Sequence, residues 1–566
     1  MSPTRAEVQA TLTAPGQIFE VSEEAVGGLS LRVWKHAPPS LRAIVELSRL
    51  HADKVFLVYE DERMTFEEHF RQVATLAQRL VDVYGVTKGD RVAIAMRNFP
   101  EWPLAFFAAA AAGAVVVPLN AWWTGAELEY GLADSGTKVL FADAERVERL
   151  DGHLAELGLA GVIVARAEGA LPPGHAHFAD VVGDVTADVT LPEVAIDADD
   201  DATIFYTSGT TGRPKGALGT QRNICSSVLG LAYSLVASAT RSGGEVPDIS
   251  GLADRPQDAT LLSVPFFHVT GCHAVLLGNI AFGGKLVIMY KWDPERALEL
   301  IERERITAFG GVPSMVWQVL ESPDFAKRDI SSVKSIGYGG APAPPELVRR
   351  IDELFPGRTP SNGFGMTETS AGVTMNSGAD YLRKPDSVGP PLPVCDVRVV
   401  DPSDRPLGLD ELGELQVRGP NVVKGYWNKP EATAETFTAD GWLRTGDIAR
   451  IDEEGFVYIV DRAKDMVIRG GENVYCAEVE AALFEHPAVS DVAVIGVPHQ
   501  VLGEEVGAVI QLRPGMTATA EELQAHVRSR LAPFKVPAHV WLRAEPLPRN
   551  PAGKIMKREL RDEVGR

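Results

Sequence analysis

The sequence predicts an α/β protein of at least two domains. A large N-terminal domain of layered α/β subdomains carries a β-rich subdomain and is followed by a small α+β C-terminal domain. Three observations lead there. The chain has 566 residues, more than one hydrophobic core supports. Short β-branched runs alternate with amphipathic helical stretches, the pattern of layered, largely parallel sheets. Nearer the C-terminus the texture shifts to short strands beside Gly and Asp turns.

DRVAIAM (90–96), AVVVPL (114–119), KVLFAD (138–143) and GVIVAR (161–166) predict strands. TFEEHFRQVATLAQRLVDVYG (65–85) and PELVRRIDELF (345–355) predict amphipathic helices. Trp102 to Ala126 carries no charged residue, a length that crosses a bilayer on paper. Gly113 and Pro118 interrupt it, and VVVPLN reads as a strand leaving an alanine-rich helix. A buried helix followed by a buried strand is expected, and no integral membrane span. GELQVRG (413–419) and GFVYIVD (455–461) predict the antiparallel subdomain.

Domain boundaries are expected at 1–460, a hinge at 461–464, and 465–566. In the last unit AEVEAALFEH (477–486) predicts a helix, DVAVIGV and EVGAVIQL strands, and Thr519 with Glu522 a capping box. The polar, Gly-, Asp- and Pro-rich stretch 237–258 reads as a surface insertion, and the acidic run 197–201 as a solvated linker rather than a metal site. There are no internal repeats.

The formal net charge is -22. A field of that sign disfavours nucleic acid and anionic membrane surfaces. It does not exclude small anionic ligands, because local donors outweigh distant charge beyond the ~8 Å screening length. The four cysteines form no CxxC pair, so neither a zinc ribbon nor a disulfide framework is indicated, and a reducing, cytoplasmic setting fits. His268, Cys272 and His273 lack a fourth zinc ligand. No signal peptide or SKL-type address is evident.

The stretch YTSGTTGRPKG (206–216) has the chemistry of a phosphate cradle. Thr207, Ser208, Thr210 and Thr211 offer hydroxyls, Gly209 and Gly212 allow close backbone approach, and Lys215 adds a positive charge. It is not a Walker loop, because Pro214 precedes Lys215 and Gly216 follows it. Further motifs follow in order: FFHVTG (266–271), GYGGAPAP (337–344), NGFGMTET (362–369), RTGD (444–447), DRAKDMVIRGGENVYCAEVE (461–480) and NPAGKIMKREL (550–560).

From about residue 45 to 560 this series resembles the adenylate-forming superfamily of acyl-CoA synthetases, peptide-synthetase adenylation domains and luciferases. The resemblance implies a two-step reaction. A carboxylate attacks the α-phosphate of ATP, giving acyl-AMP and pyrophosphate; a thiol then attacks the acyl carbon and expels AMP. Two anions meet in the first step, so positive charge and a metal ion are expected.

The resemblance also implies roles. Lys554 reaches the α-phosphate and the substrate carboxylate, and Thr367 donates to the α-phosphate. Glu368, with Thr207, holds Mg²⁺, a cation that favours hard oxygen ligands. Asp447 accepts from both ribose hydroxyls, and Arg462 addresses the same ribose. Phe364 stacks on adenine where tyrosine is commoner, so stacking survives and a phenolic contact is lost. Asn362, Gly363, Gly365 and the backbone of Gly340, Ala341 and Pro342 surround the base. Lys464 lies at the hinge of a mobile C-terminal domain. Its rotation would withdraw Lys554 and present Gly470 and Gly471 to the pantetheine arm of coenzyme A. His268 either gates or lines the acyl pocket, or is a packed structural histidine.

FFHVTGCHAVLL resembles bacterial fatty acyl-CoA ligases, and FGGVPS (309–314) and GYGG (337–340) are small and apolar. With no basic residue there, the expected substrate is an apolar monocarboxylate, a medium- or long-chain fatty acid, with aryl or steroid-side-chain acids left open. No carrier domain follows the Lys554 motif, which favours free coenzyme A as acceptor. A separate carrier protein or an amine, and a homodimer, stay open.

Overall fold

In a computed structural model of the chain, the structure describes residues 3–207, 213–243, 255–341, 343, 345–551 and 553–564. Two eight-stranded sheets dominate. In the first, Val115–Pro118, Arg91–Ala95, Thr137–Asp143, Gly161–Ala165 and His175–His177 run parallel. Asp201–Thr207 joins them in parallel and turns into antiparallel Lys215–Thr220, whose outer edge pairs with Gly425–Tyr426. In the second sheet Thr359–Phe364, Ser335–Gly339, Ala308–Gly311, Ala259–Leu262, Lys285–Ile288 and Val55–Tyr59 are parallel, with antiparallel strands at both edges.

The apolar stretch after Trp102 folds as expected. Glu101–Ala111 is a helix and Val115–Pro118 a strand, both buried. Helix Phe66–Asp82 starts on a Thr65–Glu68 capping box and buries Phe66, Phe70, Val73, Leu76, Ala77 and Leu80 at helical spacing. Full burial of each larger side chain stabilises by about 1.5–3 kcal/mol, which is why the helix lies on the sheet. Among the described residues one helix, Gln221–Arg241, is long and apolar enough to cross a membrane. It is a Thr220-capped core helix, 61% buried over its apolar window. Its last turn takes up Ala237–Arg241, so the polar stretch begins helical; 244–254 lie outside the described residues.

The acidic run lies at the surface, as expected, and three of its carboxylates pair with cations. Asp200 pairs with Lys88 at 2.6 Å, Asp199 with Arg222 at 2.6 Å, and Asp201 with Lys424 at 2.7 Å. Among the described residues no group of three or more His, Cys, Asp or Glu is arranged to hold a metal.

Asp396–Val400, Gly413–Arg418, Leu443–Ile451 and Val457–Arg462 form the predicted antiparallel sheet. The C-terminal unit has its own sheet, built on the long hairpin Val489–His499 with Gly503–Leu512. Its own core includes Val479, Leu483, Val494, Val506 and Leu523. The capping box forms: Thr519 N–H donates to Glu522 at 2.8 Å and Glu522 N–H to Thr519 Oγ1 at 3.2 Å.

Candidate active site

The C-terminal ends of the parallel strands open into one cavity of about 990 Å³, the place where layered α/β sheets bind ligands. Lys554 enters it on a turn the sequence fixes. Gly553 N–H donates to Asn550 O at 2.8 Å, Lys554 N–H to Asn550 Oδ1 at 3.0 Å, and Asn550 N–H to Lys554 O at 2.9 Å. Gly553 has φ +81°, and a Cβ there would lie 2.6 Å from Val312 Cγ2, so glycine is required twice over. Arg549 secures the turn by donating to Gly553 O at 2.6 Å and to Asp491 at 2.5 Å.

Burial pushes the Lys554 ammonium down to about 8, with Arg462 adding repulsion and Asp447 and Glu368 opposing it. The lysine therefore stays largely protonated at neutral pH. Gly340 faces it: in its left-handed conformation (φ +74°) a Cβ would sit 3.6 Å from Lys554 Cε.

Glu368 is 5% exposed and accepts from the Tyr426 hydroxyl at 2.6 Å. Its backbone carbonyl accepts from Val423 N–H at 3.0 Å. Thr207 and Lys215 face the same cavity, and Lys215 Nζ lies 5.1 Å from the Tyr426 ring centre. Two oxygen donors on one cavity, with no full protein cage around them among the described residues, fit Mg²⁺, which keeps waters and substrate phosphates as ligands.

Asp447 and Arg462 are cross-strand partners. Arg462 Nε is 3.3 Å from Asp447 Oδ1. Burial raises the Asp447 carboxyl and Arg462 lowers it, so the arginine offsets part of the desolvation cost. The preceding Gly446 N–H donates to Glu414 at 3.0 Å, and Thr445 Oγ1 to Leu415 O at 2.7 Å, which shapes the RTGD turn. Lys464 also lines the cavity, its ammonium lowered first by burial and then by Arg462.

His268 lines the cavity, with Nδ1 3.1 Å from Thr270 Oγ1. Burial, with nearby Lys554, pushes it down to about 3, so the imidazole is neutral. The chain after it winds as a π-helix, Thr270–Leu276, a form found often at functional sites.

Gly363, Phe364, Gly365 and Thr367 line the cavity as well. Asn362 does not. It is buried, 5% exposed, between the wall residues Ser361 and Gly363. Ala341 follows Gly340 but is not a wall residue. Gly470 and Gly471 form the turn between Val467–Arg469 and Glu472–Val474, outside the cavity walls. Ser208, Gly209, Thr210, Thr211, Gly212 and Pro342 lie outside the described residues. Sequence reasoning missed Tyr426 and Glu414. Both sit in short strands whose residues read as sheet packing, without the clustered hydroxyl donors that mark the phosphate stretch.

Two family models cover most of the chain: AMP-binding enzyme over residues 46–427, and AMP-binding enzyme C-terminal domain over residues 478–554. The chain is 38% identical to a feruloyl-CoA synthase of Amycolatopsis sp over 505 residues, 89% of this chain and 94% of that protein. It is 35% identical to a long-chain-fatty-acid–CoA ligase of Bacillus subtilis (strain 168) over 536 residues, 90% of this chain and 92% of that one. Among solved structures it is similar to the o-succinylbenzoate CoA synthetase MenE of Bacillus subtilis in complex with the acyl-adenylate intermediate OSB-AMP. That match has a TM-score of 0.75 and 31% identity, covering 93% of this chain and 98% of that one. The fold and site define an acid-activating ligase of the AMP-forming type. The chain belongs to the AMP-binding enzyme family.

Proposed function

We propose that the protein is an ATP- and Mg²⁺-dependent acyl-CoA ligase acting on an apolar monocarboxylic acid. The observation that carries this is Lys554 from the C-terminal unit in the same cavity as Glu368, Thr207, Lys215 and Arg462, the last paired with Asp447 behind the wall. A carboxylate oxygen attacks the α-phosphorus and pyrophosphate leaves. The Lys554 ammonium sits where two anions meet and lowers their repulsion as the new P–O bond forms. Thr367 donates to the α-phosphate. Asp447 accepts from both ribose hydroxyls, and Phe364 stacks on the base. Glu368 and Thr207 would hold Mg²⁺, which neutralises phosphate charge when bound. Coenzyme A thiol then attacks the acyl carbon and AMP leaves. The domain division at 461–464, with Lys464 as hinge and Gly470–Gly471 brought to the thiol arm, belongs to this reading.

The rest of the cavity supports an apolar acid. Val264, Val269, Val275, Leu231 and Leu392 wall it with glycines and small hydroxyl residues. A medium- or long-chain fatty acid is the first reading. An aryl acid is the second, favoured by the relative named for feruloyl-CoA. The test offers ATP, Mg²⁺, coenzyme A and acids from acetate to palmitate with several aryl acids, and reads products by mass spectrometry. A thioester supports the ligase, and the preferred acid names the pocket. Acyl-AMP untouched by coenzyme A would move the reading to an adenylating enzyme serving an amine or a carrier protein.

A further inference from the structure

We propose that Asp134 is a positioning residue. Its carboxylate fixes the strand end that carries Thr207, while Tyr130 and Trp427 beside it hold the strand that carries Lys215, and so it sets Thr207 against Lys215 for nucleotide binding. The inference rests on the adenylating reading above.

Asp134 lies near the end of helix Gly125–Ser135, and its side chain is 9% exposed. It does not line the cavity. Its Oδ2 accepts from the Tyr206 hydroxyl at 2.8 Å, and Tyr206 directly precedes Thr207. Its Oδ1 accepts from Lys429 Nζ at 3.1 Å. One helical turn back, the Tyr130 hydroxyl donates to Pro214 O at 3.1 Å, immediately before Lys215. That hydroxyl is 3.5 Å from Asp134 Oδ1, and its single proton goes to the nearer acceptor. Trp427 closes the other side: its indole N–H donates to Asp134 O at 3.1 Å and its amide to Gly216 O at 2.8 Å.

One helix end thus holds both strands, one on each side of the segment 207–215. Packing alone does not need this arrangement. A buried carboxylate carries a desolvation cost that an apolar residue would avoid, and Lys429 and Tyr206 supply just enough donors to offset it. What the arrangement gains is order. Thr207 and Lys215 are held before the nucleotide arrives, so less freedom is lost on binding. Asp134 stays behind the strands, where its charge is matched by Lys429 and does not face the ligand.

The test uses the full chain with an acid that the wild type converts, so failure of the ligase reading shows first, as no turnover in the wild type. Asp134→Asn and Tyr206→Phe each remove part of the shared bond. Each is expected to raise KM for ATP about tenfold while kcat changes less than about threefold. KM for the acid and for coenzyme A should hold, and the melting temperature should fall by no more than a few degrees, the cost of leaving a buried group short of one partner. The double variant should be no worse than the worse single one, because both lose the same bond. If Asp134→Asn does not fold, Tyr206→Phe, which removes one hydroxyl, carries the test. Unchanged KM for ATP in folded variants would overturn the proposal. So would equal rises in KM for all three substrates, the mark of general loosening.

Discussion

The Tyr426 hydroxyl donates to Glu368 Oε1 across 2.6 Å, and the same ring lies 5.1 Å from Lys215 Nζ. A hydrogen bond to a charged group contributes about 2 kcal/mol, and this one leaves Glu368 a single orientation. In Tyr426→Phe the carboxylate should swing. The Mg²⁺ concentration for half-maximal activity is then expected to rise about tenfold, read by metal titration at saturating ATP. An unchanged metal requirement would show that the tyrosine only packs.

Lys554→Ala should suppress adenylation by roughly 10²–10³-fold, the scale of losing one group aimed at developing charge. Thermal melting should be unaffected. Preformed acyl-AMP should still react with coenzyme A at near the wild-type rate. Rapid-quench assays of the two half-reactions check this, and equal loss of both would end the division of labour between Lys554 and the thioester step.

The pH profile follows from the same lysine. Its pKa in the folded chain, about 8, lies below the ordinary 10.5. The charged form therefore fades as pH rises through about 8, and kcat/KM for ATP should fall with it; such profiles report free-enzyme groups. The unfolded chain holds more protons than the folded one between those values, so this group makes the fold relatively more stable as pH rises across that window. A kcat/KM flat to pH 10 would contradict the assignment.

Gly471→Leu separates the half-reactions in the opposite sense. Gly471 has φ +90° with nothing within 4 Å of a Cβ, so the site has room but the backbone is unfavourable. A stability cost of about 1–3 kcal/mol is expected. Thioester formation should drop at least about tenfold while pyrophosphate release is spared. Equal inhibition of adenylation would place the turn elsewhere in the cycle.

The sequence made much of this legible because glycines and repeated donors leave marks. The Asn550–Lys554 turn is written in Asn, Gly and Lys at fixed spacing, and its hydrogen bonds close as that spacing requires. The long strands and helix Phe66–Asp82 follow from periodicity. Asn362 is buried and is not a wall residue of the cavity, because a motif gives order along the chain and not which way each side chain faces. Tyr426, Glu414 and Asp134 act through partners 58, 32 and 72 residues away. A linear reading cannot show such pairings, and an isolated tyrosine or aspartate reads as sheet packing or helix surface.

The central claim is that the carboxylate itself attacks the α-phosphorus. It is tested most directly with an acid labelled with ¹⁸O in its carboxylate, turned over with ATP and coenzyme A, and products weighed by mass spectrometry. The account predicts one labelled oxygen in AMP, none in pyrophosphate, and the other in the thioester carbonyl. Label in a phosphate product other than AMP, or unlabelled AMP beside a labelled thioester, would contradict it.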